Sequence, residues 1–199
     1  HKPENDLLFG YHRGDEARRR FLIPLWNVYT FLATYARLDG WEPDFDFDPA
    51  YPEGPTPKSD HLLDRWILGR LNEVVPQVTN ALENSDSVTA TLALEALLDD
   101  LTNWYVRRSR RRFWKSEHDA DKNNAYATLY HVMVKLVRLL APFIPFVTET
   151  INEKPIDPEV LDENLTTFYG MMGWDTKTGK PTLAKLQELD IEWVAGYME

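Results

Sequence analysis

Six Lys and Arg side chains fall within ten residues of the segment NWYVRRSRRRFWK, at 103–115, with no acid among them. Five of the six are arginine. A planar guanidinium binds two phosphate oxygens at once and stacks on a base, which a lysine ammonium does not. At 100° per residue, Arg107, Arg108, Arg111, Arg112 and Lys115 fan over an arc of roughly 140°. Val106 and Phe113 point the other way, towards a core. Trp104 falls inside the basic arc one turn earlier, and Trp114 follows the arginines directly. The pattern suits an RNA face, with the five cations on phosphate oxygens and Trp104 and Trp114 as platforms for unpaired bases. The same cations would equally bind carboxylates, of this chain or of an acidic partner protein, and the residues alone leave both readings open.

The setting of the patch narrows the chemistry. The 199 residues carry a formal net charge of -10, so the chain outside the patch sums to -16. An acidic body with one basic patch orients a polyanion as well as attracting it. Cysteine is absent, which removes disulfides, thiol catalysis and cysteine metal sites and leaves the cytoplasm as the default compartment. The histidines, His1, His12, His61, His118 and His131, share no ligand spacing, so no metal is expected. No Gly-rich phosphate loop or serine nucleophile motif is present. Asp99 and Asp100 point about 100° apart and suit an arginine partner better than acid–base work. No apolar run approaches the roughly 18 residues of a membrane span, and the N-terminal residues are too polar for a signal peptide.

The elements that must position the patch read as helices. Phe21, Leu25, Val28, Leu32 and Tyr35 recur at helical spacing, with a kink expected at Pro24 and a stop at Gly40. Residues 40–60 are rich in Pro and acid and read as an exposed connector, pinned by Trp41, Phe45, Phe47 and Tyr51. A second helix begins near Ser59 or Asp60 as cap and buries Leu62, Trp66, Leu71, Val74, Val78 and Leu82, with a bend at Pro76. A third spans 88–115, acidic at its start and basic at its end, in keeping with the helix dipole. A polar turn then leads to a fourth over 125–140, which buries Leu129, Val132, Met133, Leu136 and Leu140. Pro142 and Pro145 end it and start another. No segment keeps a period of two. The expected class is all-α: an antiparallel helical bundle with one long Pro-rich loop and a small helical C-terminal appendage, divided as residues 1–152 and 153–199.

Four stretches, GYHRGDEARRRFLIPLWNVYTFLATYARLDGW, LDRWILGRLNEVV, ALLDDLTNWYVRRSRRRFWK and AYATLYHVMVKLVRLLAPFIPFVTETI, resemble in that order the anticodon-binding region of isoleucyl-tRNA synthetases. The resemblance covers residues 7–151, and NWYVRRSRRRFW is its most specific part. It implies a class I synthetase-type helical bundle that grips the anticodon stem-loop of isoleucine tRNA. It also implies that catalysis belongs elsewhere. The family's His-Ile-Gly-His-type and Lys-Met-Ser-Lys-Ser-type motifs, which handle ATP, do not occur here, so no cofactor is expected in this chain. Isoleucine ligation would need a separate catalytic chain or body. An excised piece and a natural stand-alone fragment would both read this way.

The tail reads differently. LDENLTTFYGMMGWDTKTGKPTLAKLQELDI, within residues 157–193, resembles the C-terminus of tungsten-containing aldehyde ferredoxin oxidoreductases. The cluster cysteines of that family are missing, so no redox role is implied. A fusion or an engineered junction near Asn152 would account for the change of resemblance. The tail should form a helix over 158–169, a turn over 173–181 and a helix capped by Thr182, with Phe168, Trp174, Leu183, Leu186 and Trp193 as its apolar contacts.

Overall fold

The first long helix changes its winding part-way. In the computed structural model, which describes residues 11–45, 48, 50–115, 119–153, 175, 177, 180 and 182–188, α1 (Tyr11–Ala17) loosens into a π-turn at Arg18–Leu22 and continues as α2 (Ile23–Asp39). The π-turn accommodates Pro24. The Ile23 N–H bonds back to the Arg18 carbonyl five residues away, and Pro24 follows in the first turn of α2, where a missing donor costs little. Gly40 ends α2 in the left-handed region, φ 62°. The Trp41 N–H reaches the Ala36 carbonyl at 2.8 Å and the Gly40 N–H the Arg37 carbonyl at 3.2 Å, a Schellman closure.

Helix α3 (Leu62–Glu83) is capped by His61, not by Ser59 or Asp60: the His61 Nδ1 accepts from the Leu63 N–H at 3.3 Å. Ser59 instead donates to Asp64 at 2.6 Å. The buried stripe of α3 is Asp64, Ile67, Leu68, Leu71, Val74, Val78 and Ala81. Leu62 and Leu82, expected inside, are exposed. The helix runs on through Pro76, which faces solvent, where water can satisfy the carbonyl it leaves free. A short turn through Asn84 and Ser85 folds the chain back into α4 (Ser87–Asp99), with the Asp86 side chain accepting from the Thr89 N–H at 3.0 Å. A second π-turn at Asp100–Val106 leads without a break into α5 (Arg107–Trp114).

Helix α6 (Ala120–Leu140) starts five residues earlier than its apolar periodicity suggests, because Asp119 caps it and accepts from the Lys122 N–H at 2.8 Å. Leu129, Val132, Met133, Leu136 and Leu140 are all buried, as expected. So are Ala125, Tyr126, Thr128, Tyr130 and His131, which makes α6 the central post of the bundle. After a turn at 141–143, Pro145 opens α7 (Pro145–Glu153). Among the described residues every regular element is helical, so the class is all-α.

The described residues between Trp41 and Glu53 form a strap across α6. Trp41 stacks on Tyr126 with centroids 5.3 Å apart and donates to the Asn123 side-chain oxygen at 2.6 Å. Phe45 packs on Tyr130. Tyr51, expected to help pin it, is exposed, and Phe47 lies outside the described residues. Gly54 sits at φ 65°, and a Cβ there would lie 2.5 Å from the Phe45 ring, so both backbone and space demand glycine. Beside it the buried Glu53 accepts from Arg138 at 2.8 Å. The Tyr130 hydroxyl donates to the Pro52 carbonyl at 3.0 Å and His131 Nδ1–H to the Glu53 carbonyl at 3.1 Å.

Burial pushes the His131 pKa below its ordinary value. Neutral His131 is therefore the form the fold favours, and its contribution is complete above about pH 6.5. It is lost as pH falls from there towards the lower folded value, by at most about 1.4 kcal/mol per pH unit for one proton. The thermal midpoint should drop between pH 7 and 5.5, and less so in His131→Gln. Equal drops in both proteins would remove the imidazole from the cause.

The chain divides into two compact units, His1–Ile156 and Asp157–Glu199. In the second, α8 (Leu183–Glu188) starts at Thr182, whose hydroxyl accepts from the Lys185 N–H at 3.2 Å. Leu186 is buried and Leu183 exposed. The expected helix over 158–169, with Phe168, Trp174 and Trp193, lies outside the described residues.

Candidate nucleic-acid interface

The basic run ends a helical rod that extends from Ser87 to Trp114, and the rod's inner side is what fixes its outer one. Leu94, Leu97, Leu98, Leu101, Tyr105, Val106 and Phe113 are buried. Phe113 meets Phe31 edge-on at 5.1 Å and Tyr126 at 5.0 Å. At the start of the π-turn, Asp100 accepts from Arg70 at 2.9 Å. Asp99 holds the Asn103 amide at 2.6 Å.

With Val106, Ser109 and Phe113 inside, the cations sort by their angle to that side. Arg107, Arg108, Arg110 and Arg111 are exposed, and no acid pairs with them among the described residues. Arg108 lies over the Trp104 ring, its guanidinium carbon 4.6 Å from the centroid. Trp104 is half-exposed, and so is Trp114. The arrangement therefore offers a stacked guanidinium on indole, a planar surface with a positive outer layer.

Arg112 is a correction to the expected phosphate set. It is buried, and its fork closes on Asp64, Nη1 to Oδ1 at 2.6 Å and Nη2 to Oδ2 at 2.8 Å. Its Nε donates to Asp121 Oδ1 at 3.0 Å. Arg112 sits on the shoulder of the wheel next to the core, so it turns in to meet a buried carboxylate. Burial works against its charge, but the hydrogen bonds to Asp64 and Asp121 outweigh that and raise its pKa further. Lys115 is half-buried and bridges Asp119 at 2.6 Å and Asp121 at 3.1 Å. Its ammonium is largely neutralised by these acids. The hydrogen bond from Lys115 holds the Asp119 pKa below the ordinary carboxylate range.

Arg110 is the residue that the wheel reading missed. It lies on the opposite shoulder, beyond the expected arc, where the neighbouring surface is an open groove and not a helix. That groove, of about 560 Å3, runs between α2 and the arginine rod. Its floor includes Val28, Phe31 and Val106, and its rims carry Asn27, Asn103, Arg107 and Arg110. Nothing in the spacing of Asn27 marks it out, because it belongs to another helix and comes to the same groove as Arg110 only in the folded chain. The second arginine cluster, Arg18 to Arg20, is internally compensated. Arg18 bonds Asp15, Arg19 lies 2.7 Å from Asp15 and Arg20 3.5 Å from Glu16.

Comparison with known proteins bears on what meets this face. Residues 64–188 match the family described as the anticodon-binding domain of tRNA ligase. The chain belongs to that family. An isoleucine–tRNA ligase of Dehalococcoides mccartyi is 46% identical over 170 residues, 83% of this chain and 16% of that protein. That of Thermus thermophilus is 43% identical over 150 residues, 75% of this chain and 14% of the relative. That of Clostridium acetobutylicum is 43% identical over 138 residues, 69% and 13%. The chain thus spans only about 16% of the length of the first of these relatives. The family segment of this anticodon-binding domain contains Asp64, the whole arginine helix and Asp121. It also runs through Leu183–Glu188, so the described helix of the second unit lies inside it. Among the described residues no helix is long and apolar enough to cross a membrane.

Proposed function

We propose that the chain is a tRNA-binding module that holds the anticodon stem-loop of isoleucine tRNA and makes no bonds itself. The observation that carries this reading is the exposed quartet Arg107, Arg108, Arg110 and Arg111, two of which, Arg107 and Arg110, rim an open groove of about 560 Å3. Phosphates would run along the arginines, and an unpaired base would enter the groove over Phe31, its edge within reach of the Asn27 and Asn103 amides. Phosphate contacts set register, and base-edge contacts carry identity. An acidic peptide would use the cations but has no need of an apolar floor flanked by amides. Isoleucine as the tRNA's identity is supported by the names of the relatives. ATP-dependent ligation is assigned to the rest of such a protein or to a separate catalytic chain. The family match through Glu188 supports taking the second unit as part of the same domain, ahead of its resemblance to an oxidoreductase C-terminus.

The test is binding of this chain to isoleucine tRNA and to a tRNA with another anticodon across a salt series. Tight and selective binding to isoleucine tRNA is expected, with log affinity falling by about 0.7–0.9 per phosphate contact against log salt. No binding to either at low salt, or preference for an acidic protein over both, would overturn the reading.

A further inference from the structure

We infer that Asp64, acting through Arg112, is a positioning residue for RNA recognition: it sets the rotation of α5 so that Arg107 and Arg110 rim the groove while Arg108 lies over Trp104 and Arg111 faces outward between them. The inference rests on the RNA-binding reading above. Four cations without acidic partners among the described residues crowd five positions of α5, and like charges three and four residues apart on a helix repel. The stacking of Arg108 on Trp104 joins two residues of the same rod and so does not fix its rotation against the bundle, which leaves that restraint to contacts from behind.

It comes from three elements that converge on one guanidinium. Asp64, in the first turn of α3, is fully buried. Its oxygens accept from Ser59 at 2.6 Å, from Tyr105 at 2.9 Å and from two nitrogens of Arg112. Arg112 also donates to the side chain of Asp121 and, at 3.1 Å, to its carbonyl, so four of its five N–H groups are engaged. A fork on a carboxylate fixes angle as well as distance. Tyr105 lies on the π-turn and Arg112 on α5, so Asp64 grips the rod on both sides of the point where its winding changes. Burial raises the Tyr105 pKa well above its ordinary value and so keeps the phenol protonated as a donor to Asp64. The end of α5 is tied as well. The buried Lys122 donates to the Lys115 carbonyl at 2.7 Å and pairs with Asp39 at 2.6 Å. Arg110 and Arg108 occupy opposite edges of the exposed arc. A small turn of α5 would carry one of them off the groove and the other away from Trp104.

Replacing Asp64 by Asn together with Arg112 by Gln tests this. The pair loses both charges, net charge is unchanged, and no buried ion is left alone. Positioning predicts that preference for isoleucine tRNA over the tRNA with another anticodon falls by about tenfold, the scale of one base contact, while the salt slope stays as in the parent. A slope lower by about 0.7–0.9 would make Arg112 a direct phosphate ligand and overturn the inference, leaving the RNA reading intact. Unchanged selectivity and slope in a folded double variant would make the clamp purely structural and also overturn it. Should that variant not fold, Tyr105→Phe loosens the same carboxylate more gently and is held to the same outcomes. If the parent chain binds neither tRNA, the RNA reading fails and the inference with it.

Discussion

Changing Arg107, Arg110 and Arg111 to Ala together is expected to lower affinity for isoleucine tRNA by about 10²–10³-fold at 0.1 M salt. Each lost charge-assisted contact is worth roughly 1–1.5 kcal/mol. The salt slope should fall at the same time by about 2, one phosphate contact per residue at roughly 0.7 each. All three side chains are exposed and unpaired by acids among the described residues, so their removal leaves no buried carboxylate behind and the fold should persist. Arg20→Ala is the control: its guanidinium faces Glu16 at 3.5 Å and is well exposed, so it should change affinity by less than about twofold. A triple variant that keeps parental affinity and slope would take the arginine face out of the interface altogether. Arg110 decides between the wheel and the fold. The sequence arc excludes it, the groove includes it, and Arg110→Ala alone should lower affinity where Arg112→Lys leaves the salt slope unchanged.

Arg112→Ala should destabilise the chain by about 3–5 kcal/mol, the cost of leaving one member of a buried ion pair alone. Asp64 has no access to solvent, and Ser59 and Tyr105 by themselves do not neutralise it. The midpoint of urea unfolding gives the number, with the slope m checked for constancy. Losing both charges in the Asn–Gln pair should cost far less, because the penalty belongs to the orphaned carboxylate and not to the missing bridge. If Arg112→Ala costs under 1 kcal/mol, the Asp64 side chain does not depend on Arg112 and the clamp is not a clamp. The two experiments separate arginines five positions apart or fewer into two kinds: those that meet a ligand and one that holds the helix.

Much of this is legible in the chain alone. The helical period of Leu129, Val132, Met133, Leu136 and Leu140 placed them in the core, and all are buried. Gly40, Pro145 and Thr182 mark helix ends because their constraints are local: a left-handed residue, a missing donor, a hydroxyl within reach of the next turn. The start of α6 was not legible. Its first turn is polar, and Lys122 is inside only because the Lys115 carbonyl and Asp39 come to meet it. The π-turns were not legible either, since a wheel drawn at 3.6 residues per turn assumes the winding it is used to find.

By itself the sequence determined the class of the fold, the sign and place of the charge, and the arginine type that suits phosphate. These follow from period, capping and side-chain chemistry, which act within one or two turns of helix. Only the tertiary structure decided which cations are available. Arg112 and Arg110 differ by two positions and are chemically identical, yet one faces Asp64, forty-eight residues away, and the other faces an open groove. Whether a guanidinium is a ligand or a rivet depends on what another helix places beside it, and no local rule carries that information.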